Sequence, residues 1–322
     1  MNLADTSFLI TGGAGFIGSH LVEHLVGEGA SVRVIDDFST GMRTNLEPFL
    51  EHIDLHEASI TEADACRAAC EGIDYVLHQA ALPSVARSVA DPTATHHVSA
   101  SGTLNMLVAA HEAGVKRLVY AGSSSAYGDT PTLPKREDMA SMPRSPYAVA
   151  KLAGEHYAQV FPSLFGLETV VLRYFNVFGP RQDPASAYSA VIPLFLTAAL
   201  QGRVPTIHGD GGQTRDFTYV ENVVEANLLA CFAPPEGVSG EVFNVGCGDR
   251  ISVTELWGAI QDALGIELGV EHGPARPGDV RDSLADLDKI SARLGYEVRV
   301  PLQEGLRRTA AWVESALELT EA

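Results

Sequence analysis

Short runs of apolar and β-branched residues alternate with longer segments of helical spacing over the first half of the chain. Ile17, Leu21 and Leu25 recur at intervals of four, which predicts one apolar helix face. The apolar runs predict six strands, at Ser7–Thr11, Ser31–Ile35, Ile53–Glu57, Asp74–Gln79, Arg117–Gly122 and Glu168–Tyr174. Strands that alternate with helices are typical of parallel βαβ units in a doubly wound α/β sheet. Ligands of such sheets bind at the carboxyl ends of the strands.

The pattern becomes less regular after Phe178. An apolar helix near Ala190–Gln201, a short strand at Pro205–His208 and an amphipathic tail helix at Pro301–Leu319 are separated by Pro- and Gly-rich loops. We therefore predict a first domain over residues 1–178 and a smaller C-terminal α/β lobe over 179–322, with some segments of the lobe returning to the first domain. No internal repeat or long linker separates the two, so we expect a cleft between them.

Composition and charge narrow the classes of partner. The 322 residues are 46% hydrophobic and 20% charged, which is an ordinary globular mixture. The 22 Lys and Arg against 41 Asp and Glu give a net charge of −19. Nucleic acids and anionic membranes need a basic surface, so we expect neither as a partner. An anionic ligand would need local positive charge to overcome this field.

The cysteines and the N-terminus favour a reducing compartment. Cys66, Cys70, Cys231 and Cys247 are too few for a disulfide scaffold and lack zinc-ligand spacing, so we predict free buried thiols and no metal site. The first residues do not form a signal peptide, and no apolar run approaches the roughly 18 residues that span a bilayer. We expect a cytoplasmic protein.

A glycine-rich turn follows the first predicted strand and opens the first predicted helix. Gly12 permits a tight turn, Gly15 lets the backbone approach a pyrophosphate, and Gly18 allows the helix to pack on the strand. The helix N-terminus offers free N–H groups to phosphates. Asp36 ends the second strand, where a carboxylate accepts hydrogen bonds from an adenosine ribose and repels a 2′-phosphate. The pattern predicts a Rossmann-type fold that binds NAD rather than NADP.

A second motif suggests acid–base chemistry. Tyr147 and Lys151 are four residues apart after a helix start at Ser145-Pro146, so they share one helix face. A nearby ammonium favours the phenolate and lowers the pKa of the tyrosine, which can then act as a base. Lys151 is one of only four lysines in an Arg-biased chain. A serine after the apolar strand Leu118–Tyr120 can pass a proton between a substrate and the tyrosine.

These motifs together resemble the extended short-chain dehydrogenases/reductases of the NAD-dependent sugar epimerase/dehydratase group, and most closely the UDP-glucose/UDP-N-acetylglucosamine 4-epimerases. The resemblance covers about residues 6–300. It is carried by Thr11–Gly18, Ser123–Gly128, Ser145–Lys151, Arg173–Asn176, Gly179–Asp183, Arg215–Phe217 and Arg276–Asp279.

The resemblance implies roles for individual residues. Tyr147 is the base, Lys151 tunes it and holds the nicotinamide ribose, and Ser123 or Ser124 shuttles the proton. The implied cofactor contacts are Gly12, Gly15, Phe16, Ile17, Gly18, Asp36, Asp37, Ser39, Thr40, Gly41, Ser59, Ile60, Gln79, Ala80, Ala81, Ser99, Tyr147 and Lys151. The implied UDP-sugar contacts are Ser124, Ser125, Asn176, Ala190, Val191, Ile207, His208, Arg215, Arg276, Asp279 and Ser283. Arg215 and Arg276 are expected on the diphosphate, although Arg215 could instead pair with Asp216 or Asp210.

The serine-rich turn favours an epimerase within the group. Dehydratases and decarboxylases of the group usually carry an acid after the catalytic Ser or Thr, whereas Ser123–Tyr127 contains none. Ser283 falls where a large residue, usually Tyr, excludes N-acetylated sugars. A small residue there predicts activity on UDP-GlcNAc/UDP-GalNAc as well as on UDP-Glc/UDP-Gal, unless Ser283 is only a loop serine.

Other functions stay open at this point. A UDP-glucuronate 4-epimerase is the nearest alternative, because Arg181 lies in a loop suited to a carboxylate, although a structural role for Arg181 is equally compatible. A CDP- or GDP-sugar epimerase and a silent NAD-binding regulatory module are further alternatives.

The chain departs from the family pattern at Ser99, where Asn is common, and at Ser59, where Asp is frequent. Members of the group usually pair through a four-helix bundle. We therefore expect a homodimer through helices near Thr93–Ala113 and Tyr147–Phe161, with small residues at the contact. Those residues are Ala94, Ala109, Ala148, Ala150 and Ala153.

Overall fold

A seven-stranded parallel sheet forms the centre of the protein. The computed structural model describes residues 3–183, 190–274 and 280–321. In this part of the chain the strands are β1 (Ser7–Thr11), β2 (Ser31–Ile35), β3 (Ile53–His56), β4 (Tyr75–His78), β5 (Arg117–Ser123), β6 (Glu168–Tyr174), β7 (Val177–Phe178), β8 (Thr206–His208), β9 (Thr214–Arg215), β10 (Thr218–Tyr219), β11 (Glu241–Val245), β12 (Ile251–Ser252) and β13 (Glu271–Gly273). The order in the main sheet is β11-β6-β5-β4-β1-β2-β3.

Helices cover both faces of this sheet. They are α1 (Phe16–Gly27), α2 (Ala63–Cys70), α3 (Val85–Ala90), α4 (Pro92–His96), α5 (Thr103–Glu112), α6 (Pro146–Phe165), α7 (Val191–Leu200), α8 (Val220–Phe232), α9 (Val253–Leu264), α10 (Asp288–Leu294) and α11 (Leu302–Glu321). A π-helical segment at His97–Gly102 joins α4 to α5. The strand order reverses between β1 and β4, and the crevice at this point is where doubly wound sheets bind their ligands.

The core follows the alternation of side chains along each strand. Phe8 and Ile10 of β1 enter the cluster under α1 and α8, whereas Leu9 enters the cluster under α2, α5 and α6. Both faces of a parallel sheet are therefore apolar, which explains the continuous apolar runs in the sequence. A third cluster, which includes Phe195 and Trp257, forms the core of the C-terminal lobe.

The predicted strands lie where the sequence placed them, with end shifts of one residue. The seventh strand, β11, was not predicted. It comes from the second half of the chain and pairs with β6 in parallel, and α8 packs in the same core cluster as α1. Segments of the second half therefore return to the first. The four cysteines are free and Cys66, Cys70 and Cys231 are buried, as predicted, although Cys247 is only half-buried.

The predicted contact surface of small residues needs a correction. Ala109, Ala148 and Ala150 are buried inside the single chain, because α5 and α6 turn these positions toward their own protomer. These three are not available to a partner, whereas Ala94 and Ala153 are half-buried. The exposed apolar face of α6 is instead made of larger residues, namely Val149, Tyr157, Val160 and Leu164.

Candidate active site

The glycine-rich turn after β1 is shaped by close backbone approach. Gly12 has a φ of +69°, and a Cβ there would lie 2.9 Å from the backbone of Ala80. A Cβ on Gly18 would overlap the carbonyl oxygen of Gly12. Gly15 is the N-cap of α1 and makes no side-chain capping bond, so the first N–H groups of α1 are available to an anion. This cradle fits a pyrophosphate.

Asp36 lies beside this turn at the end of β2. Its carboxylate is buried and accepts hydrogen bonds from the backbone N–H of Ala14 (2.8 Å) and of Phe38 (2.8 Å). Burial raises the pKa of Asp36, and the two N–H bonds oppose this. Arg43 lies 4.0 Å over the Phe38 ring but is bound to Glu57. The nearby guanidinium is therefore already neutralised, which fits NAD better than a cofactor with a 2′-phosphate.

Other residues assigned to the cofactor lie around the same edge. Asp37 accepts the N–H of Ser39 (2.9 Å) and a bond from Ser59, and Thr40 is exposed. Gly41 packs against Ala14, and buried Ile60 packs against Gly102. The remaining positions at this edge are Phe16, Ile17 and Ala81, which are half-buried.

Two assigned side chains, those of Gln79 and Ser99, make hydrogen bonds within the protein. Gln79 donates to Asn227 (3.1 Å) and accepts from Tyr174 (3.2 Å), so its amide is turned toward the core. The Ser99 hydroxyl accepts the N–H of Leu82 (3.3 Å), which ties the π-helical segment to the loop after β4.

A buried histidine links three parts of the cofactor edge, and sequence reasoning missed it. The Thr11 hydroxyl accepts the N–H of Ala80 (3.0 Å) and lies 2.7 Å from His78 Nδ1. His78 Nε2 lies 3.0 Å from the Thr103 hydroxyl, which donates to the carbonyl of Ser99 (2.8 Å). This chain of donors fixes a neutral ring with its proton on Nε2. Burial lowers the pKa of His78 to about 3, so it stays neutral.

Tyr147 and Lys151 project from the first turns of α6. Ser145 caps the helix by accepting the N–H of Ala148 (3.1 Å). The Lys151 side chain is buried, with Nζ 4.6 Å over the ring of Tyr120. Burial lowers the pKa of Lys151 to about 7. Burial raises the pKa of Tyr147, and a hydrogen bond with Ser123 lowers it.

Ser123 is the last residue of β5 and faces the tyrosine. Its hydroxyl lies 2.8 Å from that of Ser125 and bonds with Tyr147. Ser124 is half-buried and begins the following 3₁₀ turn. This geometry favours Ser123 over Ser124 as a proton shuttle.

A buried ion pair holds α6 against the sheet. Arg173 of β6 donates to both oxygens of Glu155 (2.9 and 2.6 Å), and both side chains are almost fully buried. The Arg173 guanidinium also lies 4.5 Å over the ring of Tyr127. Glu155 is one turn past Lys151 on α6, so this pair positions the segment that carries the acid–base residues.

A cavity of about 490 Å³ opens beside α7. Six residues assigned to the UDP-sugar line it, namely Asn176, Ala190, Val191, Ile207, His208 and Arg215. Phe178, Phe195 and Phe217 complete its apolar wall. Of these three, only Phe217 stood in a motif that the sequence singled out. An apolar slot with a few polar groups and an arginine suits a planar base joined to a phosphate.

Asn176 connects this cavity to the acid–base residues. It follows β6 by two residues, and Tyr174 pairs with Ser123 across the sheet. Its φ of +28° is unusual for a non-glycine residue and marks a constrained position. Its amide donates to the carbonyl of Asp216 (2.9 Å) and to the hydroxyl of Ser283 (3.1 Å). Arg276 and Asp279, the other two predicted substrate residues, lie outside the described residues.

Arg181 is directed away from this region. Its guanidinium donates to the carbonyl of Ser19 (3.3 Å) and to His20 Nδ1 (2.9 Å), and it pairs with Glu23. Burial and the adjacent guanidinium lower the pKa of His20 to about 4, so the ring is a neutral acceptor. Arg181 thus fastens its loop to α1, which is the structural role considered for it.

The family model that matches residues 8–246 is described as the NAD dependent epimerase/dehydratase family. The chain belongs to this family. Its cofactor is NAD, as the cradle around Gly12 and Asp36 also indicates. No helix of the described chain has the length and apolar character needed to cross a membrane.

Similar proteins include several sugar-nucleotide epimerases. A UDP-glucose 4-epimerase of Mycolicibacterium smegmatis is 40% identical over 306 residues, covering 94% of this chain and 96% of that protein. A UDP-glucuronate 4-epimerase of Thermodesulfobacterium geofontis is 31% identical over 327 residues, covering 98% of each. The structure of UDP-N-acetylglucosamine 4-epimerase from Methanobrevibacter ruminantium M1, in complex with UDP-N-acetylmuramic acid, has a TM-score of 0.92 and 37% identity, covering 97% of this chain and 99% of that one.

Proposed function

We propose that this chain is an isomerase, an NAD-dependent 4-epimerase of UDP-hexoses. The observation that carries the proposal is the set of Ser123, Tyr147 and Lys151 at the carboxyl end of β5, one strand away from the cavity that contains Asn176. The three epimerases described above as similar to this chain act, by their names, on UDP-sugars. The absence of an acid after Ser123 favours an oxidation and re-reduction of one carbon over an elimination.

The cofactor would be held by the Gly12–Gly18 turn, by Asp36 and by Lys151. When bound, NAD accepts a hydride from the sugar and returns it. The chain itself handles the proton. Tyr147 takes the proton of the C4 hydroxyl, directly or through Ser123. It gives the proton back to the same oxygen after the 4-keto sugar has rotated to present its opposite face.

Lys151 makes this proton transfer possible at neutral pH. Its buried ammonium favours the phenolate of Tyr147, since opposite charges in a poorly solvated site attract strongly. Burial lowers the pKa of Lys151 to about 7, and a phenolate beside Lys151 would favour the charged ammonium again. The hydrogen bond from Ser123 adds to the stabilisation of the phenolate.

Asn176, Arg215 and the apolar wall of the cavity would hold the UDP group, with Arg276 and Asp279 proposed as further contacts. Ser283 leaves room for an acetamido group, so the proposed substrates are both UDP-Glc/UDP-Gal and UDP-GlcNAc/UDP-GalNAc. Because Arg181 binds His20 and Glu23 of α1, it is not available to bind the carboxylate of a glucuronate substrate. This favours neutral hexoses over UDP-glucuronate.

The test is C4 inversion followed by proton NMR. The purified protein is incubated separately with UDP-Glc, UDP-GlcNAc and UDP-GlcA without added NAD. We expect inversion of the first two only. Inversion of UDP-GlcA alone would replace the proposed substrate class, and bound NAD without any inversion would indicate a silent NAD-binding module.

Tyr147→Phe checks the assignment of the base. We expect the turnover number to fall about 10²- to 10⁴-fold, because the variant cannot accept the proton. Bound NAD should be retained. Tyr157→Phe is the matched control, since Tyr157 is an exposed tyrosine on the same helix. Equal activity of the two variants would contradict the role of Tyr147.

Ser283→Tyr checks the assignment of the acetamido pocket. We expect loss of UDP-GlcNAc turnover with UDP-Glc turnover retained, because the ring would fill the space beside Asn176. Ser283→Ala is the control, which keeps the space. Equal loss of both activities in the tyrosine variant would contradict the gating role.

A second copy of the chain would cover the exposed face of α6. Leu164 is 69% exposed and Val149 is 52% exposed, although the opposite face of the same helix is buried in the core. A homodimer through α6 and the helix pair α4–α5 would bury this face. We expect Leu164→Glu to shift the mass measured by light scattering from dimer to monomer, whereas Leu50→Glu, on an exposed site elsewhere, should not. A wild-type monomer would contradict this proposal.

A further inference from the structure

Asp216 is a buried carboxylate bound by backbone amides from two other segments. It lies between β9 and β10 and is fully buried. One oxygen accepts the N–H of Cys247 (2.7 Å), and the other accepts those of Gly248 (3.0 Å) and Ala285 (3.1 Å). The mechanism proposed above does not use this group.

An ionised carboxylate accepts from all three amides without presenting a donor to any of them. A carboxylate is an acceptor at both oxygens, whereas an amide side chain of the same shape replaces one oxygen by a donor. The cost of burying the charge is visible as a pKa of Asp216 raised to about 6, with the three N–H bonds acting against the rise. The group is therefore mainly ionised at neutral pH, and the bonds are in place.

Asp216 reaches the two residues that border the sugar side of the site. Ala285 is two residues from Ser283, so the bond to its N–H sets the path of the Ser283 segment. The backbone carbonyl of Asp216 accepts from the Asn176 amide (2.9 Å), and that amide also donates to the Ser283 hydroxyl (3.1 Å). One residue thus fixes Asn176 through its main chain and Ser283 through its side chain.

Gly246 packs closely against both Asp216 and Ala285. A Cβ on Gly246 would lie 2.8 Å from the carboxylate of Asp216 and 2.6 Å from the Cβ of Ala285. The strand end that carries Gly246 therefore approaches both residues as closely as a glycine allows. Because the carboxylate is bonded to the N–H of Ala285, a shift of the carboxylate should also move the Ser283 segment.

We propose that Asp216 is a positioning residue for sugar selectivity, which holds Ser283 in register with Asn176 so that the space beside the C2 substituent has a fixed shape. This inference rests on the proposed UDP-hexose epimerase function. It assigns selectivity to a residue that need not touch the substrate. An N-acetylated sugar uses that space and a sugar with a C2 hydroxyl does not, so the two substrates report differently on it.

The variant Asp216→Asn tests the role. We expect the ratio of kcat/KM for UDP-GlcNAc to kcat/KM for UDP-Glc to fall roughly tenfold, through KM, because an NH2 group in place of Oδ2 cannot accept the N–H groups of Gly248 and Ala285, which loosens the Ser283 segment. Bound NAD should not change. Hydrogen exchange should show lost protection at Ala285 and Gly248. Asp249→Asn is the matched control, since Asp249 is an exposed carboxylate next to the same segment.

The outcomes separate this inference from the function on which it rests. Wild-type protein that inverts neither sugar overturns the proposed function. An active Asp216→Asn variant with an unchanged ratio, or with equal losses for both sugars, overturns only the selectivity role of Asp216.

If the variant does not fold, the wild-type protein supplies the test. The ratio should fall reversibly below about pH 6 as Asp216 is protonated. Protonation of Tyr147 or of the diphosphate affects the turnover of both substrates alike, so it cancels in the ratio of the two kcat/KM values. Within the described chain, the other titratable groups that face Asp216 are Cys247, Asp249 and Tyr296, and the Asp249→Asn variant shows whether the one carboxylate among them is responsible. A ratio independent of pH overturns the inference.

Discussion

The ion pair between Arg173 and Glu155 offers a direct test of how α6 is held. Glu155→Gln keeps the shape of the side chain and removes its charge. Arg173 is 4% exposed and its partner 2%, so the guanidinium would stay buried without a counter-ion. Loss of one member of such a pair costs about 3–5 kcal/mol. With an unfolding entropy of about 2.1 cal/mol/K per residue, this corresponds to a fall in Tm of roughly 4–7 °C for 322 residues.

The assay is thermal unfolding with a matched surface control. Asp138→Asn breaks the exposed pair with Arg136, in which the side chains are 65% and 58% exposed, and should cost about 0–1 kcal/mol. Turnover should fall with Glu155→Gln because Tyr147 lies on the same helix. Equal Tm values for the two variants would refute the reasoning that this pair fastens α6 to the sheet.

Three further perturbations test the cofactor edge. Gly18→Ala should lose bound NAD, measured by absorbance after release, because a methyl group there overlaps the backbone of the phosphate turn. Thr11→Val should lower stability by about 1–3 kcal/mol in urea unfolding, since it leaves the Ala80 N–H and His78 Nδ1 unpaired. Lys151→Met should abolish turnover yet raise the Tm of cofactor-stripped protein below pH 7. Below pH 7 the folded wild type holds a buried ammonium at Lys151, whereas water solvates this group in the unfolded chain. The desolvation of Lys151 therefore lowers the stability of the wild type. That gain should shrink as pH rises from about 7 toward 10.5, where both states of the wild type become neutral.

The sequence was a good guide wherever neighbours along the chain determine the structure. The turn after β1 and the pair Tyr147 and Lys151 depend on local spacing, and each lies where the motif predicts. Their surroundings depend on contacts between distant residues. The seventh strand, β11, pairs with β6, which lies far earlier in the chain, so no local signal marks it as part of the main sheet.

The orientation of polar side chains was the least predictable feature. Arg181 stands in a loop where sequence reasoning allowed a carboxylate-binding role, and it is the packing of that loop on α1 that turns it to Glu23. The direction of Gln79 depends in the same way on Asn227, which is 148 residues away. Asp216 was singled out only as part of a motif. Its three amide donors, Cys247, Gly248 and Ala285, lie 31 to 69 residues later in the sequence.

The acidic charge of the protein and its anionic ligands are reconciled by the placement of positive charge. Arg33 of β2, Arg181, which packs on α1, and Arg43 near the cofactor edge are each paired with a carboxylate, so they add little net field. The uncapped N-terminus of α1 supplies the local attraction there. Arg203 and Arg215 line the cavity in which the proposed function places the UDP group. Surface carboxylates farther away than the Debye length of about 8–10 Å are screened by salt. A ligand with two phosphates therefore responds to these few local groups, and the net charge of −19 leaves its recognition largely unaffected.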